Sequence, residues 1–364
     1  MTPFRLMVAT FVFAAHSLMA LAARDLMAAE PAFAPVVPGY RLEFPRDHGA
    51  HPEFRTEWWY VTGQVKTAQG EALGFQITFF RTATQIGAAS KSSFNPSQII
   101  FAHAAVSDPA YGKLRHDQKT ARAMPGVAST TRSDTDVQLE NWMLKRADGH
   151  YRAVIPAKDF RLDLDLITTR APLLQGRDGF SQKSPEPRFA SYYYSFPQLK
   201  VTGKIDVGGK TQQVTGIAWL DHEWSSDVLG SGAQGWDWVG LNLDDGGALM
   251  AFRIRDAAGK PVWAAGTLQR PDGSARHFSS TDVVFEPITT WTSPRTRAVY
   301  PVNMNVRLGG ETWRVDATMP DQELDSRLST GAVYWEGAAN VTRDGRRVGA
   351  GYLELTGYTE RLKF

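Results

Sequence analysis

Cysteine is absent from the 364 residues, which excludes disulfide bonds, thiolate metal ligands and a cysteine nucleophile. A surplus of charge is absent as well: 40 Lys and Arg against 38 Asp and Glu leave a net charge of +2, too little for the basic surface that nucleic acid binding requires. The chain also lacks the motifs of dinucleotide enzymes, NTPases, serine hydrolases and zinc proteases. Any chemistry is therefore expected to be acid–base or electrostatic.

Aromatic residues, by contrast, are abundant. The chain contains 11 Trp, 11 Tyr and 19 Phe, and such residues commonly line β cores or apolar ligand cavities. With 43% hydrophobic and 21% charged residues, the composition is that of a globular protein with a sizeable core. The aromatic content is the first indication of an apolar ligand.

The first 23 residues predict a secretory signal peptide. Arg5 supplies a positive charge, residues 6–15 form an apolar run broken only by Thr10, and Ala20-Leu21-Ala22 gives a small-x-small cleavage signal. Cleavage directly after this signal would export the mature chain.

An uncleaved membrane anchor is the alternative. His16 and Ser17 interrupt the apolar run before it reaches the ~20 residues that a spanning helix needs, which favours cleavage. Residues 24–40, rich in Ala and Pro, are then expected to form a flexible leader. Because an exported chain without cysteine does not depend on disulfide formation, we expect a periplasmic location.

Apolar and charged residues alternate along most of the remaining chain. In residues 160–166, Phe160 and three leucines alternate with Arg161 and two aspartates, the pattern of a half-buried strand. Roughly sixteen such segments are expected, several joined by glycine-containing turns. Helical periodicity is confined to short stretches, the best being Asp321–Leu328. We therefore predict an all-β fold of antiparallel β-barrels, whose closure removes exposed strand edges.

The sequence also indicates an internal duplication. The strand–turn–strand segment from Trp59 to Arg81 resembles the segment from Trp238 to Arg255. A second similarity, at constant spacing, relates three residues of each half: Gly203, Val207 and Val214 in one, Gly337, Val341 and Val348 in the other.

This duplication predicts two copies of one β-barrel domain. The boundary between the two domains is expected in the Gly- and Ser-rich stretch 225–235. This gives an N-terminal domain over 41–225 and a C-terminal domain over 226–364. At roughly 150 residues per domain, the length of the chain also predicts two.

Polar and aromatic residues are concentrated at the start of the first strand. Alternation puts Glu57 and Trp59 on one face of this strand and Trp58 and Tyr60 on the other, so one face would meet a cavity. We regard Glu57, Trp59 and Tyr60 as candidate ligand-binding residues. The alternative is a barrel-closing strand in which Glu57 pairs with an arginine such as Arg81.

Histidines give two weaker signals. His48 and His51 lie near Asp47, a composition that suits a metal ion but occurs by chance in loops, so no metal is predicted. His103 is a lone imidazole in an apolar strand, which is typical of a satisfied core residue. Since it could equally point into a cavity, His103 is kept as a candidate ligand-binding residue.

A second polar cluster ends the predicted first domain. Alternation puts Asp221 and Glu223 on one side of the strand and His222 and Trp224 on the other. His222 is a natural proton carrier, Asp221 a possible catalytic partner and Trp224 a candidate ligand-binding residue. The alternative is a structural network at the junction of the two domains.

Asp237 lies between Trp236 and Trp238 in sequence. A carboxylate enclosed by indoles is desolvated, so its pKa would rise and it could act as a general acid near neutral pH. We therefore predict Asp237 as a catalytic residue and the two tryptophans as ligand-binding residues. The connecting stretch would bring His222 and Asp237 together in one cavity at the domain junction.

Several ordered motifs resemble the lipocalin-like family that includes carotenoid 1,2-hydratase (hydroxyneurosporene synthase), over roughly residues 40–364. This resemblance implies two lipocalin-like β-barrels and hydration of an isoprenoid double bond by acid–base catalysis, without metal or organic cofactor. A His-x-Trp unit and a carboxylate thought to act in the hydratases would fall on His222, Trp224 and Asp237. The motifs are Glu57–Gly63, Asp221–Trp224, Gly235–Trp238, Tyr334–Gly337 and Gly351–Tyr358.

Two interpretations of function follow. In the first, the exported protein binds a lipid or isoprenoid and serves an envelope ABC exporter, as many exported relatives in this family resemble exporter accessory proteins. In the second, it is a cofactor-independent hydratase. The export signal favours binding, whereas the cluster of Asp, His and Trp favours chemistry. The sequence does not indicate an oligomeric state.

Overall fold

Almost every regular element in the part of the chain that the structure describes is a β-strand. The computed structural model describes residues 33–84, 86 and 97–361, and the predicted signal peptide of residues 1–23 lies outside them. The only helical element of the described residues is a 3-10 turn, Arg46–His48, and none of their helices is long and apolar enough to cross a membrane.

Strands β1 to β13 form the first sheet. They are β1 (Thr56–Thr67), β2 (Ala72–Ala83), β3 (Gln98–Ser107), β4 (Arg115–Arg122), β5 (Ala128–Thr130), β6 (Asp136–Leu139), β7 (Trp142–Ala147), β8 (His150–Pro156), β9 (Phe160–Ile167), β10 (Leu173–Leu174), β11 (Phe180–Gln182), β12 (Ala190–Val207) and β13 (Lys210–Asp227). Their order is β4-β3-β2-β1-β13-β12-β9-β8-β7-β6-β5, with β10 and β11 also paired to β12.

Strands β14 to β23 form the second sheet. They are β14 (Gly235–Leu243), β15 (Ala248–Arg255), β16 (Pro261–Gln269), β17 (Ala275–Phe278), β18 (Val283–Thr292), β19 (Val299–Leu308), β20 (Glu311–Ala317), β21 (Glu323–Asp325), β22 (Val333–Arg343) and β23 (Arg346–Leu355). Their order is β17-β16-β15-β14-β23-β22-β20-β19-β18, with β21 paired to β22.

The two sheets share one plan. In each, the first strand pairs on one side with the second strand and on the other with the last strand, as β1 does with β2 and β13, and β14 with β15 and β23. The first hairpins also match in chemistry, since Glu57 lies opposite Arg81 and Asp237 lies opposite Arg253. The predicted all-β fold of two antiparallel β-barrel domains related by duplication is confirmed.

Close packing of the sheets sets the distance between them. A Cβ atom on Gly74 of β2 would lie 2.6 Å from the Cβ of Ala338 of β22, so a larger residue would push the sheets apart. Nearby, the Gln64 side chain donates to the backbone oxygen of Ala339 at 2.8 Å. The outer face of the β1–β2 hairpin is thereby held against the second sheet.

The segment predicted as a helix, Asp321–Leu328, is not helical, and that prediction is wrong. Glu323–Asp325 is a strand paired to β22, and the Gln322 side chain bonds both the N–H and the C=O of Ala338. Tertiary pairing thus overrides a short helical periodicity.

The end of the predicted leader contacts the first sheet. Val36 is buried, and the N–H of Val37 donates to the Tyr192 hydroxyl at 3.0 Å.

Candidate functional site

A cavity of about 320 Å³ lies between the outer faces of the two sheets. Strands β1, β2, β3, β12 and β13 contribute one wall, and β14, β15, β22 and β23 contribute the other. Aromatic side chains provide most of the apolar lining: Trp58, Tyr60, Phe80, Phe101, Tyr193, Trp236, Trp238, Phe252 and Tyr334.

Two carboxyl groups face each other in the cavity. Glu336 of β22 and Glu354 of β23 are directly opposed in the strand register, and both line the cavity. Burial raises the pKa of Glu336 to about 8, and burial followed by the proximity of Glu336 raises the pKa of Glu354 well above its usual range. Neither forms an ion pair among the described residues, so this pair holds a proton near neutral pH.

Two phenols lie beside the pair. The hydroxyl groups of Tyr60 and Tyr334 interact with the carboxyl group of Glu336 and lower its pKa against the larger effect of burial. Glu336 Oε1 and the Tyr60 hydroxyl nevertheless make no hydrogen bond of good geometry to a described residue, so a polar group of a ligand or a water can complete their hydrogen bonding.

Asp221 provides a third carboxyl group on the opposite wall. It accepts hydrogen bonds from Ser195 Oγ at 2.6 Å, Trp219 Nε1 at 2.6 Å and the Tyr193 hydroxyl at 2.7 Å. Burial raises its pKa to about 7 in spite of these donors. Asp221, predicted as a possible catalytic partner, thus lines the cavity together with Glu223.

The opposite face of the same strands holds a different cluster, inside the first barrel. Trp59 and Trp224 are fully buried there, and His222 stacks on Trp59 with ring centroids 4.7 Å apart. His222 Nε2 lies 2.9 Å from Glu57 Oε1, and Arg81 donates to Glu57 Oε2 at 2.8 Å. Four predicted site residues, Glu57, Trp59, His222 and Trp224, are therefore brought together, but not in the cavity.

Neighbouring opposite charges shift the pKa values of Glu57 and His51 in this inner cluster toward their charged forms. Burial alone would raise the pKa of Glu57, but the neighbouring His51 and Arg81 outweigh burial and hold it well below its usual range. His51 lies 2.7 Å from Glu57 Oε1 and 3.3 Å from Asp47 Oδ1, and these carboxylates raise its pKa against the effect of burial. Burial lowers the pKa of His222.

The inner cluster has the composition of a metal site. Ligand atoms of His51, Glu57 and His222 lie within 4.8 Å of one another. Each is already bonded to another member of the cluster, and Arg81 supplies a positive charge to the carboxylate. We interpret the cluster as an ion-pair network that fixes β1 against β13.

The predicted location of Asp237 is wrong. Because Trp236 and Trp238 both face the cavity, alternation turns Asp237 to the interior of the second barrel. There it is fully buried and paired with Arg253 and with Arg255 Nε at 2.9 Å. Two guanidinium groups contact this carboxylate instead of two indoles, and the side chain lies on the face of β14 that is turned away from the cavity.

His103 lines the cavity as a neutral group. Its Nδ1 lies 2.8 Å from the Tyr334 hydroxyl and its Nε2 lies 2.8 Å from Ser329 Oγ. Burial lowers the pKa of His103 to about 3, so it carries no charge at neutral pH. Both alternatives left open for His103 hold in part, since it is hydrogen-bonded and also faces the cavity.

Sequence reasoning missed the carboxyl pair. Glu336 and Glu354 belong to motifs that carry the family resemblance, but they were not chosen as site residues. Strand alternation would have indicated them, since Tyr334 and Glu336 share one face, as do Tyr352 and Glu354. What alternation does not show is that these two faces meet the same cavity.

Two antiparallel β-barrel units with an aromatic, carboxyl-lined cavity between their sheets define a lipocalin-like fold. Residues 35–358 match the AttH-like family, and the chain belongs to that family. The resemblance to the lipocalin-like proteins of the carotenoid hydratase type is thereby confirmed. No curated protein matches the chain.

Solved structures show the same fold. An AttH from Nitrosomonas europaea is 53% identical, with a TM-score of 0.84 over 89% of this chain and 99% of that chain. Kievitone hydratase from Nectria haematococca is 14% identical, with a TM-score of 0.67 over 91% and 97% of the two chains. CghA in complex with Sch210972 is 12% identical, with a TM-score of 0.56 over 91% and 96%.

Proposed function

We propose that this protein is a cofactor-independent hydratase that adds water to a carbon–carbon double bond of a hydrophobic ligand held between the two sheets. The opposed carboxyl groups of Glu336 and Glu354 carry this proposal, because a buried pair without a cation retains a proton at neutral pH. The hydratase among the structures of similar fold supports the same class of reaction.

The reaction needs an acid and a place for a cation. One carboxylic acid of the pair donates its proton to one carbon of the double bond, which leaves a carbocation at the other. Trp236 and Trp238 line the cavity beside the pair, and an indole face stabilises a desolvated cation by up to about 2 kcal/mol. The aromatic lining thus favours the transition state over the neutral ligand.

Water completes the addition. The hydroxyl of Tyr60 and Glu336 Oε1, which make no hydrogen bond of good geometry to each other, can hold a water molecule between them beside the carbocation. Its oxygen bonds to the carbocation, and it returns a proton to the carboxylate, so that the acid is regenerated and the product is an alcohol. No other reactant is required.

His222 and Trp224 take a different role in this proposal. They lie on the face of β13 that is turned away from the cavity, while Asp221 and Glu223 of the same strand line it. The inner ion-pair network therefore positions β13, and with it Asp221, without contacting the ligand.

Turnover in water enriched in heavy oxygen tests the proposal. The purified chain is incubated with compact isoprenoid alkenes, and mass spectrometry measures the formation of the labelled alcohol. Glu336→Gln and Glu354→Gln should each lower the rate by about 10²-fold or more, because the amide keeps the shape but supplies no carboxylic proton. With Glu336 as the acid, the rate should also fall as the pH rises through about 8, where Glu336 loses its proton; with Glu354 as the acid, the fall should come at higher pH.

Glu71→Gln, at an exposed position of the β1–β2 turn, is the matched control and should keep full activity. Full activity in both cavity variants, with the fold intact by circular dichroism, would show that the pair is not the acid.

A carrier function is the second candidate. The export signal around Arg5 and Ala20-Leu21-Ala22 favours it, and the aromatic lining of the cavity suits a lipid or isoprenoid cargo in the periplasm for an envelope ABC exporter. A carrier would bind its cargo without changing it, and Glu336→Gln would leave binding intact. Recovery of a stable ligand from the purified protein, with no labelled product, distinguishes the carrier from the hydratase.

A further inference from the structure

Lys183 is an unexpected cation in the apolar cavity. Its side chain is 6% exposed, and Nζ lies 2.8 Å from Glu223 Oε1 and 3.1 Å from Ser181 Oγ. The same nitrogen lies 4.2 Å from the ring centroid of Phe252 and 4.9 Å from that of Tyr193. Because an ammonium group has three N–H donors and two are used, the third can be donated to a ligand between these rings.

The charge of Lys183 is already balanced. Glu223 neutralises it within the cavity wall, His103 is neutral, and the described lining contains no other Lys and no Arg. An anionic ligand would therefore find no free positive charge and would lie near the carboxyl groups of Asp221, Glu336 and Glu354. A neutral oxygen, by contrast, can accept the remaining N–H.

The register of the second sheet places this cation away from the carboxyl pair. Glu336, Glu354, Trp238 and Phe252 form one transverse row, each opposed to the next on neighbouring strands. Glu354 and Phe252 are therefore two interstrand spacings apart, about 10 Å between Cα atoms. The row presents an acid at one end, an indole in the middle and Lys183, above Phe252, at the other end.

We infer that the cavity selects an uncharged hydrophobe that carries an oxygen remote from its double bond, with the oxygen accepting from Lys183 at one end of this row and the double bond beside Glu336 and Glu354 at the other. This inference rests on the proposed function for the role of the double bond only. The cavity of about 320 Å³ is near the lower limit for small-molecule sites, which suits a compact terpenoid or the end of a longer molecule.

Three ten-carbon probes with one skeleton test the selectivity: the hydrocarbon myrcene, the alcohol geraniol and the ionised acid geranate at pH 8. Affinity is measured by displacement of N-phenyl-1-naphthylamine. Geraniol should bind about tenfold more tightly than myrcene or geranate, the scale of one hydrogen bond to a charged donor.

Since Lys183→Met alone would leave Glu223 unpaired in the cavity wall, the main variant is the double substitution Lys183→Met with Glu223→Gln. It should bind geraniol no better than myrcene, with the affinity for myrcene unchanged. Lys200→Met, at an exposed position of β12, should keep the wild-type preference.

Binding of geranate as tight as that of geraniol would overturn the inference, because it would show an uncompensated positive charge. An undiminished preference for geraniol in the double variant would overturn it as well. Failure of the proposed hydration is seen separately, as absence of labelled alcohol while the preference for geraniol persists.

Discussion

The interior of the first barrel and the cavity between the sheets are both buried and both contain carboxyl groups, yet the two places shift the pKa values of these groups in opposite directions. Glu57 in the barrel meets Arg81 and His51, and its pKa falls; Glu336 in the cavity meets another carboxyl group, and its pKa rises. Burial penalises the charged form in both places. The partner, not the burial, therefore decides which carboxyl group is structural and which can act as an acid.

The largest effect is expected for Glu57→Gln, which removes the negative charge from the inner ion-pair network. Arg81 would then be a buried charge without its carboxylate, and the free energy of unfolding should fall by about 3–5 kcal/mol. Urea titration followed by circular dichroism measures this loss. The double variant with Arg81→Met should lose less, and a loss below ~1 kcal/mol in the single variant would contradict the comparison.

Asp237→Asn should have a smaller effect of the same sign. It weakens the equivalent network in the second barrel, where Arg253 is 13% exposed at its side chain and can be solvated in part. We expect a loss of about 2–3 kcal/mol in unfolding free energy. Because Asp237 does not line the cavity, the folded variant should hydrate at nearly the wild-type rate. A lower rate with unchanged stability would instead indicate that Asp237 takes part in catalysis.

Glu336→Gln should stabilise the protein. Since the pKa of Glu336 is raised from 4.5 to about 8 in the fold, its contribution to stability is fully present below pH 4.5 and is lost as the pH rises through 8. The glutamine variant should therefore have a higher free energy of unfolding than wild type at pH 8, and the difference should be smaller at pH 5. Thermal melting at the two pH values checks this, and a difference independent of pH would show that titration of Glu336 is not the cause.

Strand alternation predicted much of the fold and part of the site. It separated Asp221 and Glu223 from His222 and Trp224, and the structure places these two pairs on opposite faces of β13. Pairing of Glu57 with Arg81 was foreseen as an alternative and is observed.

Other parts of the site depend on contacts distant in sequence. Asp237 is flanked by tryptophans in the chain, but its partners Arg253 and Arg255 come from the next strand. The pairing of Glu336 with Glu354 depends on the register of β22 and β23. Lys183 reaches the cavity from the segment between β11 and β12, which has no periodicity from which its direction could be deduced.

The division of the cavity walls between the two sheets bears on how the site arose. Duplication usually copies a site, so that each half retains a version of it. Here the walls differ, since one contributes Asp221 and Lys183 and the other contributes Glu336 and Glu354. A single barrel would possess one wall and would enclose a ligand in this way only by pairing with a second copy of itself. Two barrels joined in one chain allow each wall to differ, which a symmetric dimer cannot do.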